Sequence, residues 1–500
     1  MEFLEQVARY GVLLLYFAIL VVLSVYGTHR WYLLHLYYRH RHDNLRPQRP
    51  LTALSRVTVQ IPLFNEMYVA RRVIDAVSRL DYPRELLEIQ VLDDSTDETS
   101  TVVAREVRRH RERGVDIVHL HRTNRAGFKA GALAVGLRVA KGELVAVFDA
   151  DFTPASDFLR RLVPHFADPG VGMVQARWGH LNSDHSALTR VQAMLLDGHF
   201  IVEHTARNRS GRFFNFNGTA GIWRKRCIED AGGWQHDTLT EDLDLSYRAQ
   251  LLGWRFVYVP EVVAPAELPV EMGAFKAQQH RWAKGSIQTA RKLLPKILRS
   301  DQSFAVKSEA VFHMTANIAY VLMLALAVLV VPAVWLRRDI ATWMIAAVDL
   351  PLFAMSSVSV VAFYITAHRE ARGTLRSTGR FVPFLMAVGI GLCVNNARAV
   401  IEALLGRASD FRRTPKYNLQ PGESVGARRY RGRVSLDTAA EAALAIYFGA
   451  AVAMAIAHSL WGSLPFLLLF EIGFAYTAVI TLVQSVHAVR PRPPVRATTA

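Results

Sequence analysis

The fold of this 500-residue chain is predicted most directly by one stretch, Leu144-Val145-Ala146-Val147-Phe148-Asp149-Ala150-Asp151. Its first five residues are apolar and predict a buried strand, and two acids follow directly. A second predicted strand, residues 88–92, likewise ends on Asp93-Asp94. Ligands bind beyond the carboxyl ends of the strands in open α/β sheets, so we expect both acidic pairs at a ligand site.

Around this stretch, short β-branched runs alternate with amphipathic segments from about residue 56 to residue 260. This βαβ alternation predicts a Rossmann-like, mixed and mostly parallel sheet with helices on both faces. The predicted strands cover residues 57–61, 88–92, 116–120 and 144–148, and the predicted helices cover residues 66–79, 96–113 and 129–140. No G-x-G-x-x-G follows the first strand and no G-x-x-x-x-G-K-[ST] occurs, which argues against dinucleotide redox chemistry and P-loop hydrolysis.

Two further motifs follow, Thr240-Glu241-Asp242 and Gln278-Gln279-His280-Arg281-Trp282. Thr240 is predicted to cap a helix, which places the Asp242 carboxylate near the partly positive amides of the first turn. The second motif combines an amide, a guanidinium and an indole, a set that suits binding of a diphosphate and stacking on a sugar ring. Taken alone, the motifs also fit a plain helix cap and ordinary helix packing.

The acids after the strands suggest particular ligands. Asp149 and Asp151 could hold a hard divalent cation such as Mg²⁺ or Mn²⁺ through oxygen, or one of them could simply cap a helix. Asp93 or Asp94 could accept hydrogen bonds from a nucleotide, or belong to an Asx turn. Lys129 at a helix start suits a phosphate, although a solvated lysine is the common case.

Asp242 is the candidate general base for transfer of a glycosyl group to a hydroxyl with inversion. Such a transfer needs one carboxylate facing the acceptor, because a metal-bound diphosphate already leaves readily. Arg281 is expected to stabilise the departing diphosphate, and Trp282 to pack against the acceptor sugar.

Long apolar runs flank this middle region. Residues 10–26 predict an uncleaved membrane helix rather than a signal peptide, and the arginines after it place the next domain in the cytoplasm. Each later run is near the ~20 residues needed to span a membrane. These later runs are residues 311–336, 343–366, 437–458 and 464–487.

The run at residues 381–404 is interpreted as interfacial or re-entrant, which gives five spans. If it crossed the membrane, the loop 405–436, with eight Arg and Lys against two acids, would lie outside. The basic segment 291–301 predicts an amphipathic helix on the membrane surface. Asp349, Glu441 and Glu471 in or near the runs suggest either polar contacts between helices or a wet channel lining.

Composition limits the partners. The net charge is +16, but the arginine clusters lie beside hydrophobic runs, so membrane lipid headgroups are the expected partner and nucleic acid is not. The two cysteines, Cys227 and Cys393, cannot form a disulfide framework, which is typical of a reducing cytosol.

With D-D-S, D-A-D, T-E-D and Q-Q-H-R-W in this order, the chain resembles family 2 glycosyltransferases of the cellulose synthase superfamily. The likeness is strongest to the cellulose synthase-like A group, the β-mannan and glucomannan synthases. The supporting stretches are residues 60–66, 90–97, 148–152, 174–178 and 214–221. The resemblance implies a GT-A fold and a membrane-embedded, inverting, processive β-glycosyltransferase. The enzyme would move a hexose from GDP-mannose or UDP-glucose to a β-1,4-linked polysaccharide.

The resemblance also implies residue roles. Asp242 is the base, and Asp149 and Asp151 hold Mg²⁺ or Mn²⁺. The implied nucleotide-sugar ligands are Asp93, Asp94, Lys129, Asp149, Gln278 and Arg281, and the implied acceptor ligands are Trp282, Glu241, Asn217 and Gly218. Residues 411–416 match the family's F-x-V-T-x-K gating loop except that Arg413 replaces Val, which puts the gating role in doubt. No cyclic-di-GMP-binding domain is expected after the last span.

The predicted domains are an N-terminal membrane helix (1–30), a cytoplasmic GT-A domain (50–300), a membrane region with an interfacial helix and the cytoplasmic loop 405–436 (301–490), and a tail (491–500). The expected location is the bacterial inner membrane. Two alternatives remain: a non-processive enzyme that glycosylates a lipid carrier, and a polysaccharide transporter with a nucleotide-sugar-sensing domain.

Overall fold

The structure, a computed structural model, describes residues 2–43, 47, 53–337, 342–372, 378–407, 414–418 and 435–489. The predicted tail 491–500 and most of the loop 405–436 lie outside these residues. Phe411 and Arg413 of the predicted gating motif lie outside them as well, whereas Thr414 and Lys416 are described.

One mixed sheet organises the middle of the chain. Its seven described strands are β1 (Val57–Leu63), β2 (Leu87–Asp93), β3 (Ile117–His121), β4 (Leu144–Val147), β5 (Val171–His180), β6 (Gly221–Arg224) and β7 (Arg255–Ala266). They lie in the order β3-β2-β1-β4-β6-β5-β7, and among them β6 alone runs antiparallel to its neighbours. The chain reverses its winding direction between β1 and β4, which is where such sheets bind ligands.

Helices cover both faces of the sheet and continue into the apolar parts of the chain. The helices before residue 301 are α1 (Glu2–His40), α2 (Met67–Val77), α3 (Thr99–Arg111), α4 (Phe128–Val139), α5 (Phe158–Leu162), α6 (Ala187–Asp197), α7 (Thr205–Arg209), α8 (Lys225–Asp230), α9 (Glu241–Leu251) and α10 (Met272–Arg299). The later ones are α11 (Phe304–Thr315), α12 (Ile318–Leu336), α13 (Thr342–Phe353), α14 (Ser359–Arg372), α15 (Thr378–Gly391), α16 (Cys393–Leu404), α17 (Leu436–Ala457) and α18 (Leu464–Val489).

The hydrophobic core lies in two layers, one on each face of the sheet. Along β4, Leu144 and Ala146 pack with α2 and α3 on one face, while Val145 and Val147 pack with α4 and α9 on the other. All four are fully buried, and burying a Val or Leu side chain typically contributes about 1.5–3 kcal/mol. The predicted α/β fold with a mostly parallel sheet is confirmed.

Five helical segments within the described residues are long and apolar enough to cross a membrane. They are Arg9–His40, Ile318–Leu336, Ala347–Arg372, Leu436–Ala457 and Trp461–Ser485. The pair Phe381–Gly391 and Cys393–Leu404 is bent by 43°, a geometry that fits both a broken span and a re-entrant loop, so the interfacial or re-entrant interpretation of 381–404 stays a prediction. The N-terminal helix is longer than predicted and extends to His40.

The basic segment after residue 291 differs from its prediction. Residues 291–299 are the last turns of α10, not a separate helix. Leu293 and Ile297 are buried against Leu243, Tyr247 and other apolar residues of α9 and α11. Protein, rather than the membrane surface, therefore covers this apolar face.

Ion pairs satisfy two of the three acids in or near the apolar runs. Arg337 donates to both carboxylate oxygens of Asp349, at 3.0 and 2.9 Å. Glu441 accepts a hydrogen bond of 2.5 Å from Lys276, and both side chains are buried. These contacts favour the interpretation of Asp349 and Glu441 as polar contacts between helices.

One face of α10 is bound to the later helices α16 and α17 by such pairs. Lys276, His280 and Lys284 recur every four residues and therefore share a face. The Lys284 ammonium lies 2.8 Å and the His280 ring 3.4 Å from the Glu402 carboxylate on α16, while Lys276 pairs with Glu441 on α17. The position of α10 is thus fixed by charged groups of the membrane region.

We predict that Glu441→Gln lowers the thermal stability of the protein strongly. It leaves the buried Lys276 ammonium without a counter-charge, a loss that typically costs about 3–5 kcal/mol. The melting temperatures of wild type and variants, measured in the same detergent, test this prediction. The matched control is the double variant Lys276→Met/Glu441→Leu, which removes both charges and should restore most of the stability; a double variant as unstable as the single one would contradict the assignment.

Candidate active site

A single cavity opens at the carboxyl ends of the central strands, beside the switch point between β1 and β4. Of the residues predicted from sequence, it is lined by Asp94, Lys129, Asp149, Asp151, Asn217, Gly218, Glu241, Asp242, Gln278, Arg281 and Trp282. Acids separated by almost 150 positions therefore converge on one cavity. Asp93 does not line it.

Asp242 lies in the first turn of α9. Thr240 holds the N-cap position, but its hydroxyl makes no capping hydrogen bond and lies 3.2 Å from the Thr289 hydroxyl on α10, so the predicted side-chain cap is wrong. A Cβ at Gly285 would approach the Thr240 side chain to 2.5 Å. Glycine there lets α10 pack closely against the start of α9, which determines where Asp242 points.

The surroundings of Asp242 suit proton transfer. Burial and the neighbouring Glu241 carboxylate raise the pKa of Asp242 to about 7, while Lys129 opposes this shift. Burial likewise raises the pKa of Glu241, again against the charge of Lys129. A carboxyl group with a pKa near neutrality can accept a proton and release it again at physiological pH.

Gly218 brings the backbone close to Asp242. Its φ is +79°, and a Cβ there would lie 3.1 Å from Asp242 Oδ2 and 3.3 Å from Lys129 Nζ. A larger residue would therefore be strained and would also crowd the two charged groups.

Lys129 connects the acidic groups. This lysine lies two residues after Gly127, the N-cap of α4, whose φ is +71°. The ammonium donates to Asp149 Oδ1 and, at 2.9 Å, to the Gly218 carbonyl. Burial disfavours its charge, but Asp149 and Glu241 nevertheless hold the pKa of Lys129 above its ordinary value.

Each carboxylate of the D-A-D motif is bound by a lysine. Asp149 pairs with Lys129, and Asp151 Oδ2 accepts a hydrogen bond of 2.5 Å from Lys416. The Asp149 amide also donates to the Thr219 hydroxyl at 2.9 Å, which fixes the turn after β4. The two carboxylates face the cavity and offer the oxygen ligands that Mg²⁺ and Mn²⁺ prefer, and a bound ion would displace the two lysine ammonium groups from them.

The Asp93-Asp94 pair divides into two roles. Asp94 reaches the cavity and pairs with Arg122, whose Nε lies 2.6 Å from Oδ1. Asp93 is fully buried and bonds His119, His121 and the Ser95 amide. Burial opposes its ionisation, but the hydrogen bonds from His119 and Ser95 lower the pKa of Asp93 to about 2.

The short segment 414–418 includes the last three residues of the predicted gating motif, 414–416. The amides of Tyr417 and Asn418 donate to the Glu267 carboxylate at 2.8–3.1 Å. Thr414 accepts a hydrogen bond of 3.1 Å from Arg281. Glu267 and Arg122 carry no assigned role in the sequence prediction, and Lys416 enters it only through the gating motif. The pairing of Lys416 with Asp151 joins residues 265 positions apart.

The predicted site residues of the Q-Q-H-R-W motif lie on α10. The cavity is lined by Gln278, Arg281 and Trp282 from one side of this helix. The opposite side carries the lysines that pair with α16 and α17. Burial lowers the pKa of Arg281 to about 10, and the acids Glu241 and Asp149 oppose that shift. The guanidinium therefore stays cationic at neutral pH and can hold a diphosphate.

Residues 55–285 match the family model described as "Glycosyltransferase like family 2", and this part of the chain is a glycosyltransferase domain of that family. The region covers the whole sheet and the cavity lining except for Thr414 and Lys416.

The relatives make the assignment more specific. The chain is 43% identical over 296 residues to "Glucomannan 4-beta-mannosyltransferase 1" of Oryza sativa subsp. japonica, covering 57% of each chain. It is 43% identical over 290 residues to "Glucomannan 4-beta-mannosyltransferase 2" of Arabidopsis thaliana, covering 55% of this chain and 54% of the relative. The match spans about half the length of these relatives. The recognition of cellulose synthase-like A proteins from the motifs is confirmed.

A solved structure shares the fold. "Mannosyltransferase PcManGT from Pyrobaculum calidifontis in complex with GDP-Man and Mn2+" superimposes with a TM-score of 0.51 at 24% identity. The match covers 71% of this chain and 99% of that one, in agreement with the predicted GT-A fold.

We predict that Asp242→Asn stabilises the protein more at high pH than at low pH. The pKa of Asp242 is higher in the folded state, about 7, than its ordinary 3.8, so ionisation destabilises the fold increasingly as pH rises between these values. The melting-temperature gain of the variant should thus be larger at about pH 8 than at about pH 5. Asp301→Asn, at an exposed site, is the control, and an equal gain at both pH values would contradict the raised pKa.

Proposed function

We propose that the protein is a membrane-embedded inverting β-glycosyltransferase that transfers mannose from GDP-mannose to a β-1,4-linked polysaccharide. The observation that carries the proposal is the meeting of Asp242, Asp149, Asp151 and Arg281 in one cavity of a family 2 domain. The names of the 43% identical relatives, which transfer mannose in β-4 linkage, favour mannose over the glucose of UDP-glucose.

In the proposed reaction Asp242 removes the proton of the acceptor hydroxyl as that oxygen forms a bond to C1 of the donor sugar. The bond between C1 and the diphosphate breaks on the opposite face, and the nucleoside diphosphate leaves with the electron pair. Asp242 suits this role because a carboxylate with a pKa near 7 is both partly ionised and basic at neutral pH. Trp282, Glu241, Asn217 and Gly218 line the cavity as proposed acceptor ligands.

The diphosphate would lie between α10 and the D-A-D motif. Arg281 and Gln278 reach the cavity from α10, while Asp94 and Lys129 reach it from the opposite wall. Asp149 and Asp151 would hold Mg²⁺ or Mn²⁺, which neutralises charge on the leaving diphosphate when bound. Lys129 and Lys416 already place positive charge beside these carboxylates, so a bound cation and the lysines compete for the same oxygens.

The five apolar helical segments, together with the basic residues after α1, support an integral membrane protein with this domain on the cytoplasmic side. The polymer, the processivity and a bacterial inner membrane remain part of the proposal. Product sizing separates a polysaccharide from the alternative, a lipid carrier that receives a single sugar.

We expect Asp242→Asn to lower turnover of GDP-mannose by roughly 10²–10⁴-fold, the usual cost of losing a general base. Donor binding should persist, because the substitution keeps the shape of the side chain. Release of nucleoside diphosphate measures turnover, and equilibrium binding of GDP-mannose measures the donor site. Asp301→Asn, on an exposed loop, is the control. Unchanged turnover in Asp242→Asn would refute the base, whereas wild-type protein without transfer from either donor would refute the reaction.

We predict opposite effects of two substitutions on Mn²⁺ binding. Lys416→Met removes the ammonium from Asp151 and should lower the half-saturating Mn²⁺ concentration, whereas Asp151→Asn should raise it by at least about tenfold. Equilibrium dialysis measures both. Lys141→Met removes a surface ion pair with Asp116 and should change nothing. Equal Mn²⁺ affinity in Asp151→Asn and wild type would remove Asp151 from the cation site.

A further inference from the structure

Three side chains meet at the ends of β2 and β3, outside the cavity. The two imidazoles approach the same oxygen of Asp93: His119 Nε2 lies 2.9 Å and His121 Nδ1 lies 3.2 Å from Oδ2. Residues 119 and 121 are two positions apart on β3 and therefore project from the same face of the sheet. We name these three residues the Asp93–His119–His121 group.

The spacing of the group matches a metal shell. Zinc binds histidine nitrogen and carboxylate oxygen at about 2.0–2.2 Å, so neighbouring ligand atoms of a tetrahedral site lie about 3.3 Å apart. The two measured distances are close to this value, and one ligand atom from each residue lies within 4.8 Å of the others. A small shift of the rings would place an ion among them.

The carboxylate of the group has no basic partner apart from the two histidines. Asp93 is fully buried, and in the described part of the chain its ion-pair partners are His119 and His121 alone. Its other oxygen accepts a hydrogen bond from the Ser95 amide at 2.9 Å, which orients the carboxylate. The negative charge of a buried carboxylate beside two imidazoles is balanced either by a proton on one of the rings or by a bound cation.

A second cluster of two acids and one histidine has an arginine partner, which the Asp93–His119–His121 group lacks among the described residues. Asp75, Glu106 and His110 also lie within ligand distance of one another. The Arg109 guanidinium pairs with both Asp75 and Glu106 there, so arginine already occupies the place of a cation. This cluster therefore serves as an internal control.

We propose that the Asp93–His119–His121 group binds a divalent transition-metal ion of the zinc class through two nitrogens and one oxygen. Imidazole ligands select such ions over Mg²⁺, so this site differs in chemistry from the D-A-D motif. The side chain of His121 is 39% exposed, which gives the ion a path from solvent and leaves a coordination position open.

A bound ion would brace the donor side of the cavity. It would link the ends of β2 and β3, and Arg122, next to His121, donates its amide to the Asp93 carbonyl at 2.9 Å. The Arg122 guanidinium in turn holds Asp94, which lines the cavity. The ion would thus stabilise the position of Asp94 without touching the donor.

The test is a titration of the untagged full-length protein in detergent with Co²⁺, in the presence of excess Mg²⁺. Wild type should bind about one equivalent with the ligand-field absorption of nitrogen coordination, and Zn²⁺ should displace it. His119→Gln and His121→Gln should each weaken Co²⁺ binding by more than about tenfold, since even loss of an outer-shell partner costs about that much. Gln keeps a donor for Asp93, and melting curves verify folding.

Two controls separate this site from others. His110→Gln, in the arginine-filled cluster, should bind Co²⁺ as wild type does. Asp151→Asn should also keep the Co²⁺ signal, because it changes only the proposed catalytic cation site. Absence of a nitrogen-type signal in wild type, or an undiminished signal in both His119→Gln and His121→Gln, would overturn the metal site while leaving the proposed transferase intact.

Discussion

The placement of half-buried carboxylates around one lysine is the constraint on which the cavity depends. Lys129 bonds Asp149 and the Gly218 carbonyl, and its charge also acts on Glu241 and Asp242. Without it, acids delivered by β4 and α9 would repel one another inside the protein, where charges are poorly screened. Gly218 has no side chain that would crowd the Lys129 ammonium, and the positive φ of Gly127 forms the turn from which α4 and Lys129 begin.

This arrangement gives the carboxylates near α9 and those near β4 different electrostatic environments. Near α9, burial and Glu241 leave Asp242 with a pKa near neutrality, suited to proton transfer. Near β4, two lysines place positive charge beside Asp149 and Asp151, which suits the binding of phosphate. One cavity thus combines a carboxyl group suited to proton transfer with a wall of positive charge, the two features that the proposed glycosyl transfer requires.

Much of this was predictable from sequence because it is local. The continuous apolar run 144–148 and the βαβ alternation define the sheet, and the strand ends place Asp94, Asp149 and Asp151 at one edge. What required the structure depends on distant partners. Lys416 reaches Asp151 from 265 positions away, and Thr240 faces α10 instead of capping α9. The basic segment at 291 resembles a surface helix, but α9 and α11 cover its apolar side.

Helix α10 belongs to both halves of the molecule. Its cavity side carries Arg281, and its other side is fastened to α16 and α17 through Glu402 and Glu441. The glycosyltransferase domain is consequently not a detachable module. A truncated fragment ending near residue 300 would retain every proposed sugar-nucleotide ligand yet leave Lys276 and Lys284 without counter-ions, so α16 and α17 are part of the scaffold that positions the guanidinium of Arg281.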